Sequence, residues 1–242
     1  MALIAPKGNK ERKFVEQPNI AAGVYPGRLV QIIDFGLQPQ KPYKGQDKAP
    51  AHEIGLTYEL VDTFMLDEQG NEIEDKPRWI SETLPFYGLY ADKAKSTQRY
   101  LAFDPNQEWG GNFAQAITQP VNVTIVNNKV GEKVYDNVAS IAPMRPRDAD
   151  KCPELKNPPK VFDLDNPDKA VFESFPEWIR EKIKGNLNFA GSPLEKLLGG
   201  AKITTVTEKT PAPKAEEARG KTKLARTIPT NAAPYRRRRA EI

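Results

Sequence analysis

Hydrophobic and polar positions alternate most clearly between His52 and Met65. Every second residue in the middle of this stretch is apolar, and the apolar set is Ile54, Leu56, Tyr58 and Leu60. A period of two is typical of a strand with one buried face. We therefore predict a strand over residues 52–65, with Tyr58 in the core.

Four further segments have the composition of strands. The longest, residues 23–37 (GVYPGRLVQIIDFGL), is rich in β-branched and aromatic residues and predicts a strand that bends at Gly27 and Gly36. The others are residues 78–84, which follow the turn sequence DEQGN, and residues 121–125 and 134–141, which a turn at 127–131 joins. Residues 38–50 are polar and predict a loop.

Two helical segments separate the third strand from the fourth. Residues 91–103 predict a helix with Lys93, Lys95 and Arg99 facing solvent, and residues 112–118 predict a short helix that Pro120 ends. Three strands, a helical crossover and a closing hairpin are the order of an OB-like, five-stranded and partly open barrel. An immunoglobulin-like sandwich would need about seven strands, and a doubly wound fold would need repeated strand–helix alternation.

Composition divides the chain into four parts. Residues 1–20 predict a flexible arm and residues 21–145 the barrel. Residues 146–200 predict a wrap, first Pro- and Asp-rich and extended, then helical over residues 169–185 and apolar again over 193–198. Residues 201–242 have the composition of a disordered basic tail. The fold class is thus mainly β, with a helical and extended wrap and a disordered tail.

Charge is unevenly distributed between the tail and the rest of the chain. The 242 residues carry a net charge of +4, but residues 201–242 hold eleven Lys and Arg against four Glu, a net of +7. Residues 1–200 therefore carry −3. The sequence predicts a mildly acidic body with a basic tail, and not a uniformly basic nucleic-acid binder.

The residue inventory argues against catalysis. One histidine (His52) and one cysteine (Cys152) are too few for a usual zinc site, and the common hydrolase, P-loop and metalloprotease motifs are absent from the sequence. We predict a protein without enzyme activity, cofactor or metal. The sequence has no apolar run of about 20 residues and no secretory leader, which favours a soluble protein of a reducing cytosol.

Several segments together resemble the OB-type single-stranded DNA-binding proteins encoded by bacteriophages. They are AGVYPGRLVQIIDFG, HEIGLTYELVDTF, DEQGNEIEDKPRWISETLP, ADKAKS, VNVTIVNN, VYDNVASI and MRPRDADKCPEL, and the resemblance covers about residues 20–198. It implies sequence-tolerant binding of single-stranded DNA in phage DNA replication or recombination, in the cytoplasm of the infected bacterial host. It also implies phage replication or recombination proteins as partners, and it is compatible with a homo-oligomer.

The end of the chain departs from that resemblance. Many single-strand binding proteins end in an acidic tail that recruits partners, whereas this chain carries Arg236, Arg237, Arg238 and Arg239 near its end. Arginines in an extended tail favour salt-dependent binding to phosphates. We interpret the four arginines as an electrostatic tether to nucleic acid, with a merely solubilising end as the alternative.

Single-strand binding requires cations along the phosphates and aromatic faces on which bases stack. The residues predicted to supply them are Lys41, Tyr43, Lys44, Lys48, Arg78, Trp79, Phe86, Tyr87, Lys93, Lys95, Arg99, Lys129, Lys133 and Tyr135. Tyr43 is the best stacking candidate because it lies between lysines in a polar segment.

Several of these residues also have structural interpretations. A core position is somewhat favoured for Trp79, and Phe86, Tyr87 and Tyr90 suit the sealing of a barrel end as well as base stacking. Lys93, Lys95 and Arg99 suit an ordinary solvated helix face. Glu53 and Glu59 on the second strand would repel phosphates.

Other functions remain compatible with the sequence. The chief alternative is a protein-interaction or assembly module that docks to replication or virion components through the helix containing Phe172 and Trp178. A carboxylate-dependent nuclease is a third. The acidic body favours protein partners, whereas the lysine-rich loop and the basic tail favour nucleic acid.

Overall fold

The computed structural model describes residues 15–199, which form part of one compact unit. The predictions for residues 1–14 and for the tail, including Arg236–Arg239, lie outside this range. The described residues contain six strands, five α-helices and a 3₁₀ turn at Phe113–Ala116. The strands are β1 (Gly23–Tyr43), β2 (Gln46–Leu66), β3 (Glu72–Pro85), β4 (Pro120–Val130), β5 (Lys133–Pro143) and β6 (Lys160–Phe162). The helices are α1 (Lys95–Phe103), α2 (Pro146–Ala149), α3 (Lys169–Glu173), α4 (Glu177–Lys184) and α5 (Pro193–Leu197).

The strands form a single, mainly antiparallel sheet in the order β3-β2-β1-β4-β5. β1 is long enough to pair with two different strands along one of its edges. Its first residues pair with β4, and Gln31–Ile33 pair in parallel with β6. Among the described residues β3 and β5 form no ladder with each other, so the sheet is open. The mainly β class is confirmed.

The segment predicted as a loop over residues 38–50 is instead the end of a long hairpin. β1 and β2 remain paired as far as Tyr43 and Gln46, and the connection consists of Lys44 and Gly45 alone. Both turn residues have positive φ, 51° and 77°, as a type I′ turn requires. This ladder could not be predicted from the polar sequence, because an exposed hairpin needs no alternation of apolar and polar side chains.

The inner face of the sheet carries the larger hydrophobic core. Leu56, Tyr58 and Leu60 of β2 are buried there, which confirms the predicted period and the core position of Tyr58. Val121, Val123 and Ile125 supply the opposite wall, and α1 with the 3₁₀ turn covers one end through Tyr100 and Phe113.

The gap between β3 and β5 is bridged by side chains. Arg99 of α1 donates two hydrogen bonds to the Glu82 carboxylate of β3, at 2.7 and 3.0 Å, and another to the carbonyl oxygen of Ala139 in β5, at 3.3 Å. Only 2% of the Arg99 side chain is exposed. The prediction that Arg99 faces solvent is wrong, because its guanidinium joins the two edge strands.

Residues 15–20 also contact the sheet. Ile20 is buried, Gln17 bonds to Leu66 of β2, and Asn19 donates to the Asp136 carboxylate of β5. The predicted arm over residues 1–20 is therefore packed against the sheet at its C-terminal end.

A second, smaller core lies on the outer face of β1. Ile33 and Phe35 point into it, and β6, α3, α4 and α5 cover it with Phe162, Phe172 and Ile183 among others. Gly36 bends β1 here as predicted: its φ is +71° and the strand register shifts between Asp34 and Gly36. The predicted helix 169–185 is interrupted, because Pro176 separates α3 from α4.

Candidate nucleic-acid interface

The exposed end of the β1–β2 hairpin, residues 38–51, is called the lysine hairpin below. It carries Lys41, Lys44 and Lys48 against one acid, Asp47, and all four residues are exposed. The type I′ turn at Lys44 and Gly45 fixes the end of the hairpin.

Tyr43 lies at the tip of the lysine hairpin with 59% of its surface exposed. The Nζ atoms of Lys48 and Lys44 lie 4.8 and 5.4 Å from the centre of its ring. These are cation–π distances. An aromatic ring and two ammonium groups are thus held together in solvent, which is the pairing that contacts to a base and its phosphates need.

The tip of the β4–β5 hairpin also combines lysines with a tyrosine. Lys129, Lys133 and Tyr135 are exposed there, on either side of a turn at Gly131 and Glu132. Glu132 and Asp136 balance the two lysines, so residues 127–136 have no net charge. Asp136 also holds the N-terminal segment by accepting hydrogen bonds from Asn19 and from the backbone N–H of Ile20.

Trp79 of β3 lies on the outer face of the sheet with 41% of its surface exposed. The core position favoured from sequence is therefore wrong. Its indole Nε1 donates to the Glu59 carboxylate at 3.0 Å, which fixes the ring. The ring borders a cleft of ≈410 Å³ that Lys76 and Arg78 also line. Arg78 is half-buried, and its Nη1 donates to the carbonyl oxygen of Pro18.

Glu59 does not present its charge to solvent. It is 1% exposed and accepts hydrogen bonds from the backbone N–H of Lys156 and the side chain of Asn157, both at 2.7 Å. Arg28, opposite Glu59 on β1, donates to the carbonyl oxygens of Cys152 and Pro153. Residues 152–157 therefore lie across this part of the outer face as a strap.

Glu53 and Glu59 of β2 should accordingly repel phosphates less than the sequence predicted. The strap covers Glu59, and Glu53 forms a 2.8 Å ion pair with Lys182 of α4. Neither carboxylate is an unopposed charge at the surface.

Phe86 and Tyr87 follow β3 and line cavities at the base of the lysine hairpin. A cavity of ≈240 Å³ and a neighbouring one of ≈390 Å³ share His52, Phe86 and Gly111. Tyr87 lines the larger cavity, whereas Tyr90 is 87% exposed beside it. Lys93 and Lys95 are exposed before and at the start of α1, as predicted for a solvated face. Arg99 is the one member of the predicted set that the fold removes from the surface.

Sequence reasoning missed a pair at this position. The His52 Nε2 lies 2.6 Å from Oδ1 of Asp34, and this hydrogen bond raises the pKa of the imidazole above its ordinary value despite partial burial. The two residues are 18 positions apart in sequence and meet only because β1 pairs with β2. The alternation of apolar residues correctly predicted that His52 lies on β2. No feature of the neighbouring sequence identified Asp34 as its partner.

The lysine hairpin and Trp79 lie toward opposite ends of β2. Glu59, which faces Trp79, and Gln46, which faces Tyr43, are thirteen residues apart. At about 3.3 Å per residue this is roughly 40 Å along the strand. A single strand that touched both would span at most about 12 stacked nucleotides at 3.4 Å each.

No protein-family model matches the chain, and a search of curated proteins likewise found no match. Within residues 15–199, no cluster of three or more His, Cys, Asp or Glu side chains is placed to hold a metal ion. In the same part of the chain, no helix has the length and apolar character needed to cross a membrane.

Proposed function

We propose that this chain is a phage single-stranded DNA-binding protein that acts by binding alone, during DNA replication or recombination in the host cytoplasm. The observation that carries the proposal is the lysine hairpin, where Tyr43 is exposed beneath two ammonium groups. Aromatic stacking tolerates any base, and lysine contacts to phosphate carry no sequence information. The expected binding is therefore tolerant of sequence.

An OB-like barrel is the finer fold that we propose for the sheet. Three features support it: β1 pairs with both β2 and β4, α1 lies between β3 and β4, and Arg99 connects β3 to β5. In OB folds, oligonucleotides bind on the face of the second and third strands, between the first and last hairpin loops. In this chain those loops are the lysine hairpin and the β4–β5 tip, and Trp79 lies on β3.

Part of the outer face of the sheet is covered by other segments, which reduces the surface that is available to DNA in the proposed interface. The strap and the second core occupy much of the outer surface of β1 and part of β2. The surfaces left for DNA are the lysine hairpin, the exposed side of β3 around Trp79, and the β4–β5 tip. The predicted cations Lys93 and Lys95 lie beside the base of the hairpin and extend this set.

The test is fluorescence anisotropy of a labelled 20-nucleotide oligo-dT with the full chain, across a salt series. Replacing Lys41, Lys44 and Lys48 by glutamine should weaken binding and reduce the slope of log K against log salt by about 2, because each phosphate contact to a single strand contributes about 0.7. A pair of matched double variants, Lys44→Gln/Lys48→Gln and Lys129→Gln/Lys133→Gln, removes two lysines from each hairpin tip. The second should change the slope less, because Glu132 and Asp136 offset the lysines of the β4–β5 tip.

A further variant tests whether the arginines of the tail contribute to DNA binding. Replacing Arg236–Arg239 by glutamine in the full chain should lower the salt slope but preserve the effect of the hairpin lysines. If the hairpin variant binds like the unmodified protein, the lysine hairpin is not the binding surface. Absence of any oligonucleotide binding at low salt would overturn the proposed function itself.

One observation favours the alternative of a protein-docking module. Trp178 of α4 is 64% exposed, whereas Phe172, which the sequence placed with it on a docking helix, is buried in the second core. Exposed tryptophans are enriched at protein interfaces. If the chain does not bind oligonucleotides, loss of binding to replication or virion components on Trp178→Ala would support this alternative.

A further inference from the structure

The cavity of ≈240 Å³ lies where the lysine hairpin leaves the sheet. His52 is the first residue after the lysine hairpin on β2, and its partner Asp34 lies on β1 just before the Gly36 bend. A DNA strand held by Tyr43 and the hairpin lysines would pass the mouth of this cavity. The cavity therefore borders the base of the lysine hairpin.

Aromatic side chains form the walls of the cavity. The rings of His52 and Phe86 lie 5.9 Å apart between centres, and Phe86 packs edge-on against Phe113 at 6.3 Å. Ile54 and Val161 add apolar surface. Such walls suit a flat ring, because a base gains stacking energy on aromatic faces and needs no phosphate contact there.

The polar groups of the cavity are an acceptor and a donor. Oδ1 of Asp34 accepts from His52 and from the backbone N–H of Gly36. Within the described residues its other oxygen, Oδ2, makes no hydrogen bond. The Asn112 side chain uses its oxygen to accept from the N–H of Ala114, and its Nδ2 has no acceptor among residues 15–199. Asp34 and the neighbouring Asp163 disfavour a phosphate at this position.

We propose that this cavity takes one base of the bound single strand, and that it favours bases with an exocyclic amino group. Oδ2 of Asp34 accepts from that amino group, as carboxylates do from cytosine N4, and Asn112 donates to the adjacent ring acceptor. Thymine has a carbonyl oxygen in place of the amino group, so it loses the contact with Asp34. The proposal rests on the proposed function and adds a base preference to it.

The experiment combines binding with a local reporter. His52 is the only histidine of the chain, so one imidazole resonance in an NMR spectrum of the full protein reports on the cavity. Oligo-dC and oligo-dT of 20 nucleotides are titrated, and anisotropy gives the two dissociation constants. We expect oligo-dC to shift the His52 resonance and to bind about fivefold more tightly than oligo-dT, the contribution of one hydrogen bond.

Two variants with the same charge change separate the cavity from general electrostatics. Asp34→Asn presents an amide donor in place of the acceptor and should make the two dissociation constants equal, with oligo-dT binding preserved. Asp47→Asn, on the exposed lysine hairpin, should retain the fivefold ratio. Phe86→Leu keeps apolar volume but removes one aromatic wall, and it should reduce the advantage of oligo-dC if Asp34→Asn proves unstable in thermal unfolding.

The outcomes distinguish this proposal from the proposed function. If both oligonucleotides bind with equal affinity and the His52 resonance stays in place, the cavity does not take a base although the protein binds DNA. A fivefold ratio that persists in both Asp34→Asn and Phe86→Leu would also overturn the proposal. If neither oligonucleotide binds, the proposed function and the base site fail together.

Discussion

The gap between β3 and β5, called the seam below, brings a cation beside a tyrosine, and so does the tip of the lysine hairpin. The environments of the two pairs are opposite. At the seam, Arg99 and the hydroxyl of Tyr58 both bond to the Glu82 carboxylate; Arg99 and Tyr58 are buried and the Glu82 side chain is 9% exposed. At the tip, Lys44 and Lys48 surround Tyr43 in solvent. The same residue types therefore hold the sheet together in one region and remain available to a ligand in the other.

The difference separates the cations that hold the fold together from the cations that remain at the surface. Arginine makes several hydrogen bonds in a fixed plane, which suits a buried site with a carboxylate and carbonyl oxygens. Lysine is a strongly hydrated point charge and suits an exposed surface. Arg28 follows the same rule as Arg99, because its guanidinium fastens the strap. Among the described residues, the proposed interface accordingly depends mainly on lysines.

The largest expected effect is on stability and comes from the seam. Arg99→Leu should lower the free energy of unfolding by about 3–5 kcal/mol, because it leaves the largely buried Glu82 carboxylate without its cationic partner. Urea denaturation monitored by circular dichroism measures the change. The double variant Glu82→Leu/Arg99→Leu should recover most of the loss. A loss below about 1 kcal/mol for Arg99→Leu would show that the seam is held by other contacts.

The next effect is on binding and comes from the hairpin. Tyr43→Ala should weaken oligo-dT binding by about 1–3 kcal/mol, the range for one stacked base, while changing the unfolding free energy by less than about 0.5 kcal/mol as for other exposed positions. Tyr135→Ala on the neutral β4–β5 tip is the matched control and should have the smaller effect. Equal losses in the two variants would mean that the tips bind DNA alike.

The smallest effect is a pH dependence at the base of the hairpin. Because Asp34 raises the pKa of His52 above about 6.5 in the folded protein, this pair stabilises the fold fully below pH 6.5 and loses its contribution as the pH rises through the raised pKa. Both side chains are partly exposed, so the change should stay below about 1 kcal/mol. Unfolding free energies at pH 6 and pH 8.5 measure it. His52→Gln should remove the difference, and an unchanged difference would assign it to another group.

The parts of the fold that follow local rules could be predicted from the sequence. Alternation in β2 identified Leu56 and Tyr58 as core residues, and the left-handed φ of Gly36 matches the predicted bend in β1. The lysine hairpin could not be predicted in this way. Its strands are polar on both faces, and its Lys44–Gly45 turn lacks the common Asn-Gly sequence.

Predictions of the site depended on contacts between distant residues. Tyr43 and the hairpin lysines could be grouped from the sequence because they lie close together along the chain. Arg99 was assigned to the surface because helix periodicity says nothing of Glu82, 17 residues away on another element. Glu59 looked like a repulsive surface charge because its donors, Lys156 and Asn157, lie almost a hundred positions later in the chain.

The turn of the lysine hairpin contains a lysine in a backbone conformation that glycine and asparagine adopt at lower energy. Lys44 has a φ of 51°, a left-handed conformation that costs a residue with a Cβ atom about 1 kcal/mol. A designer seeking thermal stability would replace it by asparagine, which tolerates this conformation better. That replacement would also remove one of the two ammonium groups above Tyr43. Under the proposed function, Lys44→Asn would therefore raise stability and lower the affinity for DNA.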